Sequence, residues 1–156
     1  MAGSVHRRHH RACTRRSGSS RAPVGEPLTG HDGEVRGGGG GAPPDGTPVI
    51  ISGSGLGPMR VWRMADGTPV GRPLFGHAGL NAVAAGALPD GTPVIISGGG
   101  LDGTVRVWRT ADGTPVGGPL YLPESGRSVA VDGNIIVTAA GADIAVCQLA
   151  LPQPIR

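Results

Sequence analysis

His77, Ser97 and Asp102 are the three residue types with which hydrolases activate a hydroxyl nucleophile. In such a site the carboxylate orients the imidazole and the imidazole takes the serine proton. Nearby N–H donors then receive the oxyanion. That chemistry also requires a hydroxyl displayed on a sharp turn, which a Gly-x-Ser-x-Gly segment supplies. Ser97 stands instead in Ile95-Ile96-Ser97-Gly98-Gly99, where no such turn is spelled. A hydrolase built on Ser97, His77 and Asp102 is therefore the least favoured of three functional readings.

The other chemically suggestive runs carry less. Gly37–Gly41 is glycine-rich, but no Lys-Ser/Thr pair follows it, as a phosphate loop requires. Gly53–Gly57 (GSGLG) reads as a turn between strands, with no helix to present to a phosphate. His6-Arg7-Arg8-His9-His10-Arg11 reads as a solvated tail rather than a metal or polyanion site. Cys13 and Cys147 lack ligand spacing and are expected to be free thiols in a reducing cytosol. No catalytic, metal or cofactor-binding residues are assigned, and no cofactor is expected.

The elements that must position these residues recur along the chain. Pro23–Thr68 and Pro69–Thr114 are two copies of one unit, and a decayed third copy runs from Pro115 to near Leu149. His31 and His77 are 46 residues apart, as are Trp62 and Trp108. The second copy divides into four short runs: Leu80–Leu88, Thr92–Ser97, Thr104–Arg109 and Thr114–Tyr121. Asp-Gly pairs separate them and suit hairpin turns, so consecutive runs are expected to pair antiparallel. In Thr104–Trp108 the alternation puts Val105 and Val107 on one face and Arg106 and Trp108 on the other. In the first copy the first run is replaced by Gly37–Gly41, which is expected to form a strand poorly. GC-rich codons for Ala82–Leu88, read two nucleotides later, spell five glycines and an alanine, as in Gly37–Ala42.

Four antiparallel runs, with Gly76-His77 opening a unit, Ser97 after a β run, Asp102-Gly103 in a turn and Trp108 closing the third run, resemble the WD40 repeat. The resemblance covers about residues 23–149, and the family's Trp-Asp dipeptide is replaced by Trp62-Arg63 and Trp108-Arg109. It implies that His77, Ser97, Asp102 and Trp108 form a structural tetrad, a buried hydrogen-bond chain clamping turns to the third strand. The first copy keeps His31, Ser52 and Trp62 but has no aspartate in its turn, and Pro58 stands beside its third strand. That unit should be the weaker one.

The implied fold is all-β, a partial β-propeller of about two to three four-stranded antiparallel WD40 blades, open rather than closed. Residues 1–22 are expected to be a disordered Arg/His-rich tail and 150–156 a C-terminal tail. Blade units fall at about 29–74, 75–121 and 122–149, with 23–28 as a spare fourth strand. All 14 basic residues are arginine, and six lie in the first 24 residues, where there is no acid. The remaining eight face 11 Asp and Glu, so the repeat region is mildly acidic and is not expected to bind nucleic acid. No apolar run is long enough for a membrane span, and the arginine-rich start lacks the apolar stretch of a secretory signal.

The resemblance implies a non-catalytic protein–protein interaction scaffold in the cytoplasm. Loops such as His77–Asn81 and Ser97–Asp102 would present a surface to a protein or peptide ligand. Open blade edges would favour self-association. The alternative is a truncated or frameshifted remnant of a longer array with no independent function.

Overall fold

The computed structural model describes residues 26–41, 46–55 and 57–149. The chain divides into residues 1–30 and residues 31–156. Of the first part, residues 26–30 are exposed and carry no regular structure. The His/Arg run and Cys13 lie outside the described residues, as does the C-terminal segment 150–156. The same holds for residues 23–25 of the expected spare strand, and its residues 26–28 form no strand.

Among the described residues of the second part every regular element is a strand, and the strands form three antiparallel sheets. The first holds β1 (Val35–Gly41), β2 (Val49–Ser54) and β3 (Met59–Arg63). The second holds β4 (Leu80–Ala87), β5 (Pro93–Gly99), β6 (Thr104–Arg109) and β7 (Leu120–Tyr121). The third holds β8 (Gly126–Asp132), β9 (Ile135–Ala140) and β10 (Asp143–Gln148). No sheet closes into a barrel, since each keeps two edge strands.

Turn chemistry explains the antiparallel order. At Asp66-Gly67-Thr68 and Asp112-Gly113-Thr114 the glycine adopts φ near +70°, which favours glycine. The aspartate carboxylate accepts the backbone N–H of the threonine two residues on, at 3.0 Å in both turns. Asp90 accepts that of Thr92 at 2.9 Å. These hydrogen bonds, chiefly from the threonines, hold the carboxyls of Asp66, Asp90 and Asp112 below the ordinary aspartate range.

Two expectations are corrected. The Gly37–Gly41 segment does form a strand, with β1 paired to β2 from Val35↔Ser54 to Gly41↔Val49. A ladder needs only N–H and C=O groups, and the absent side chains let β1 lie close against β4. A Cβ on Gly39 would stand 3.3 Å from the Val83 carbonyl oxygen, and one on Gly41 would collide with Ala85. Conversely, the fourth run of each unit is mostly not strand. In the first sheet it reduces to the bridges Met59↔Leu74 and Trp62↔Pro69, and in the second to Trp108↔Pro115 and the two-residue β7. Pro69, Pro73, Pro115 and Pro119 remove ladder donors along these runs.

The core lies between sheets, in two apolar layers. One face of the first sheet (Val49, Ile51, Met59, Val61) meets Leu80, Val83, Ile95 and Trp108 of the second. The opposite face of the second sheet (Val94, Ile96, Val105, Val107) meets Ile136, Val129 and Val131 of the third. The alternation in β6 thus sends Val105 and Val107 to one layer and Trp108 to the other. Ile51, Ile95, Ile96 and Ile136 are fully buried, each contributing on the order of 1.5–3 kcal/mol. The outer face of the third sheet is apolar and open, with Val137, Ile144 and Val146 exposed.

Candidate functional site

Ser97 on β5 and Trp108 on β6 meet His77, from the connection before β4, and Asp102, from the connection between β5 and β6. The Trp108 indole N–H donates to Ser97 Oγ at 2.7 Å. Ser97 Oγ lies 2.7 Å from His77 Nε2, and His77 Nδ1 lies 3.2 Å from Asp102 Oδ2. The carboxylate assigns the ring proton to Nδ1, so Nε2 accepts the serine hydroxyl. Each group from indole to carboxylate then has its partner. Asp102 also accepts the backbone N–H of Ala78 at 3.3 Å and of Thr104 at 3.1 Å, which ties two turns to β6.

Burial shapes the electrostatics. It pushes the His77 imidazole below the usual histidine range, against the pull of the neighbouring Asp102 carboxylate. Burial opposes ionisation of Asp102 too, yet the Thr104 and Ala78 hydrogen bonds and His77 hold its carboxyl below the ordinary range. Ser97 is 0% exposed. As a hydrolase site the arrangement is closed, because the hydroxyl faces no solvent, accepts the Trp108 N–H and gives its proton to His77.

The first sheet holds the incomplete set. His31 Nε2 is 2.7 Å from Ser52 Oγ, and the Trp62 indole donates to the same oxygen at 2.7 Å. The imidazole stands edge-on to the indole, with ring centroids 6.1 Å apart. Its Nδ1 is buried without a hydrogen-bond partner. Burial and the Arg60 cation together lower its pKa. The register accounts for the loss. Ser97 and Trp108 are 11 residues apart but Ser52 and Trp62 only 10, so one residue, the aspartate, is missing from the turn. Pro58 occupies the place of Thr104 and cannot supply its N–H.

Ser54 marks the same spot. Its counterpart is Gly99, where a Cβ would collide with the Asp102 carboxylate and stand 2.6 Å from His77 Nδ1. With no carboxylate to accommodate, the first sheet carries a serine there, 1% exposed and with an unpartnered hydroxyl. The third sheet has no such chain. Thr138 takes the place of Ser97 and donates to the Ser128 carbonyl at 2.8 Å. Cys147, opposite Ile136, stands where Trp108 stands opposite Ile95.

Sequence reasoning missed Thr104, whose hydroxyl is 3.2 Å from His77 Nδ1 and whose N–H caps Asp102. The signal was its place two residues after an aspartate, the spacing seen in the Asp-Gly-Thr turns at Asp66, Asp90 and Asp112. The expected surface loops also need correction. Ser97–Gly99 and Leu80–Asn81 belong to β5 and β4, so the connections are residues 75–79 and 100–103, with Phe75, Gly76, Ala78 and Leu101 exposed. These are joined by Gly100 N–H to the Gly79 carbonyl at 2.8 Å and Leu101 N–H to the Ala78 carbonyl at 3.1 Å.

Beside these connections, a cleft of about 350 Å³ opens between the first and second sheets. Met59, Leu74, Leu80 and Trp108 line it, and Asp32 and Phe75 border it. Phe75 is 72% exposed. Among the described residues, no three His, Cys, Asp or Glu side chains group so as to hold a metal ion. No helix among them is long and apolar enough to cross a membrane. No protein-family model matches the chain, and no curated protein matches it.

Proposed function

We propose that this chain is a partial WD40-type propeller acting as a non-catalytic protein–protein interaction scaffold. The observation that carries the reading is the closed chain Trp108–Ser97–His77–Asp102, in which every group capable of chemistry serves as another's partner. Such a chain holds two turns rigid and leaves residues 75–79 and 100–103 as a fixed surface for a protein or peptide. Phe75 and Leu101 stand exposed on these connections and Tyr121 on β7, offering apolar anchors. The proposed compartment is the cytoplasm, in keeping with the free Cys147 thiol.

A second reading, a remnant of a longer array without its own function, draws on other features. His31 Nδ1 and Ser54 Oγ are buried without partners, and the outer face of the third sheet is open. Sedimentation velocity with far-UV circular dichroism separates the two readings. The scaffold reading expects a discrete species with β signal. Soluble coil or heterogeneous aggregate would favour the remnant. A fluorophosphonate probe is expected to leave Ser97 unlabelled, and stoichiometric labelling there would restore the hydrolase reading.

A further inference from the structure

A β-bulge falls at the same place in each of the three sheets. The register slips between Val35 and Gly37 in β1, between Leu80 and Ala82 in β4, and between Gly126 and Ser128 in β8. Each slip leaves one extra residue near the start of its strand: Arg36, Asn81 and Arg127. A bulge re-aims the side chain it carries. The three strands are neighbours, with β4 between the other two. A Cβ on Gly37 would stand 3.4 Å from the Ala82 backbone, and one on Gly86 would collide with Val131. The extra residues therefore come together, and all three line one cavity of about 210 Å³. The Asn81 amide donates across to the Gly126 carbonyl of β8 at 3.5 Å. Arg36 lies over Gly55, where a Cβ would stand 2.9 Å from its Nε, and Asn81 lies over Gly100 in the same way. In the third sheet Glu124 covers the corresponding glycine, Gly141, and Arg127 is left exposed, with no hydrogen bond or ion pair among the described residues.

We propose that Arg36, Asn81 and Arg127 form a binding site for a phosphate monoester group. Each guanidinium offers a fixed fork of N–H donors that matches oxyanion geometry, and Asn81 adds an amide donor between them. Glu34 takes part of the Arg36 fork at 3.4 Å, but both side chains are largely exposed, and such a pair is weak enough for a ligand to displace. No aspartate or glutamate lines this cavity or the adjoining one, which shares Arg36 and Asn81 and extends to Leu101. Two cations on opposite sides of an amide select the ligand. A carboxylate presents one edge, which a single guanidinium fills. A phosphate monoester carries nearly twice the charge and three terminal oxygens, so it can be held from both sides. A volume of about 210 Å³ lies below the range of about 300–1,000 Å³ usual for small-molecule pockets, which suits one compact charged group. The group can come from a phosphorylated peptide side chain or from a small phosphorylated molecule. The peptide source rests on the scaffold reading, and the small-molecule source does not.

The test is a ¹H–¹⁵N NMR titration of the full chain at neutral pH, reading the arginine Nε–H and Asn81 side-chain resonances. The probes are the phosphoserine peptide Ac-Gly-pSer-Gly-NH₂ and phenyl phosphate. Controls are Ac-Gly-Glu-Gly-NH₂ and dimethyl phosphate, which carry a single charge. The expected result is saturable shifts at Arg36, Asn81 and Arg127 with a phosphate monoester, and binding of both controls weaker by about tenfold, the ratio that about 1.4 kcal/mol gives. Arg36→Gln and Arg127→Gln change exposed side chains, and each should weaken binding by about tenfold. Arg109→Gln, at an exposed arginine of β6 outside the cavity, should leave it unchanged. Glu34→Gln should strengthen binding by about two- to fivefold, the worth of an exposed ion pair. Tighter binding of the phosphopeptide assigns the site to a protein partner and supports the scaffold reading. Binding of phenyl phosphate as tightly or more so supports the site without that reading. No shift at millimolar phosphate monoester, equal binding of either control, or binding that neither arginine variant alters would overturn the proposal. Shifts confined to the arginine-rich residues 7–21 would assign phosphate to that segment, and tighter binding of an oligothymidylate would assign these arginines to a nucleic-acid backbone. Either result overturns it.

Discussion

At the scale of single residues, the two sheets compare a histidine with and without its carboxylate. Asp102→Ala leaves the His77 N–H buried without its acceptor and frees the Ala78 and Thr104 amides, so it is expected to destabilise by about 1–3 kcal/mol. Urea unfolding measures this directly. The reverse experiment is more stringent. An aspartate inserted after Leu56 should stabilise only when Ser54→Gly and Pro58→Thr accompany it, because a side chain at position 54 occupies the carboxylate's place. If the insertion alone stabilises equally, the account of Ser54 is wrong. Both imidazoles are held below the usual histidine range, so the unfolded chain binds protons that the folded chain refuses. Stability is therefore full above the unfolded histidine pKa, about 6.5, and lost as pH falls below it. Unfolding midpoints at pH 7.5 and 5.5 should differ in that sense, and His31→Gln should reduce the difference.

At the scale of elements, β1 yields a prediction that alternates along one strand. Gly37, Gly39 and Gly41 face β4, and Gly38 and Gly40 face away, where a Cβ would have ordinary contacts at 3.7–3.8 Å. Gly38→Ala and Gly40→Ala are expected to stabilise by about 0.4–1 kcal/mol by restricting the unfolded chain. Gly41→Ala should destabilise through its collision with Ala85. Thermal unfolding of the three variants checks the sign of each. The same strand marks the limit of what the sequence could disclose. β5 and β6 were legible because β-branched residues alternate between Asp-Gly turns, which fix both pairing and facing. β1 was not, because hydrogen-bonded pairing leaves no trace in side-chain type. The fourth runs misled in the opposite sense. Val70 and Val116 look strand-forming, but the flanking prolines cannot donate, and only short contacts such as the Val116 N–H to the Val107 carbonyl survive. The tetrad partners were legible as residue types in register. The partnership of Thr104, and the conflict between Ser54 and a carboxylate, depended on distances that no spacing rule supplies.

At the scale of the whole molecule, one kind of contact is repeated. The face carrying Ile95 and Trp108 covers the first sheet, and the face carrying Ile136 and Thr138 covers the second. The outer face of the third sheet is of the covered kind, but Val137, Ile144 and Val146 are exposed there. Such a face drives association by apolar burial. Ile144→Lys with Val146→Lys is expected to lower self-association in sedimentation velocity while leaving the far-UV signal intact. Loss of β signal in that variant would show that these side chains support the fold rather than contacts between molecules.

The linked order of the tetrad also sets a clock. The Trp108 indole proton can exchange with solvent only after Ser97 lets go, and Ser97 is held by an imidazole that Asp102 holds in turn. The Trp62 proton sits behind Ser52 and a histidine with no anchor at Nδ1. Two indole resonances of one chain therefore time the opening of an anchored and an unanchored network under identical conditions, and the Trp62 proton should exchange first.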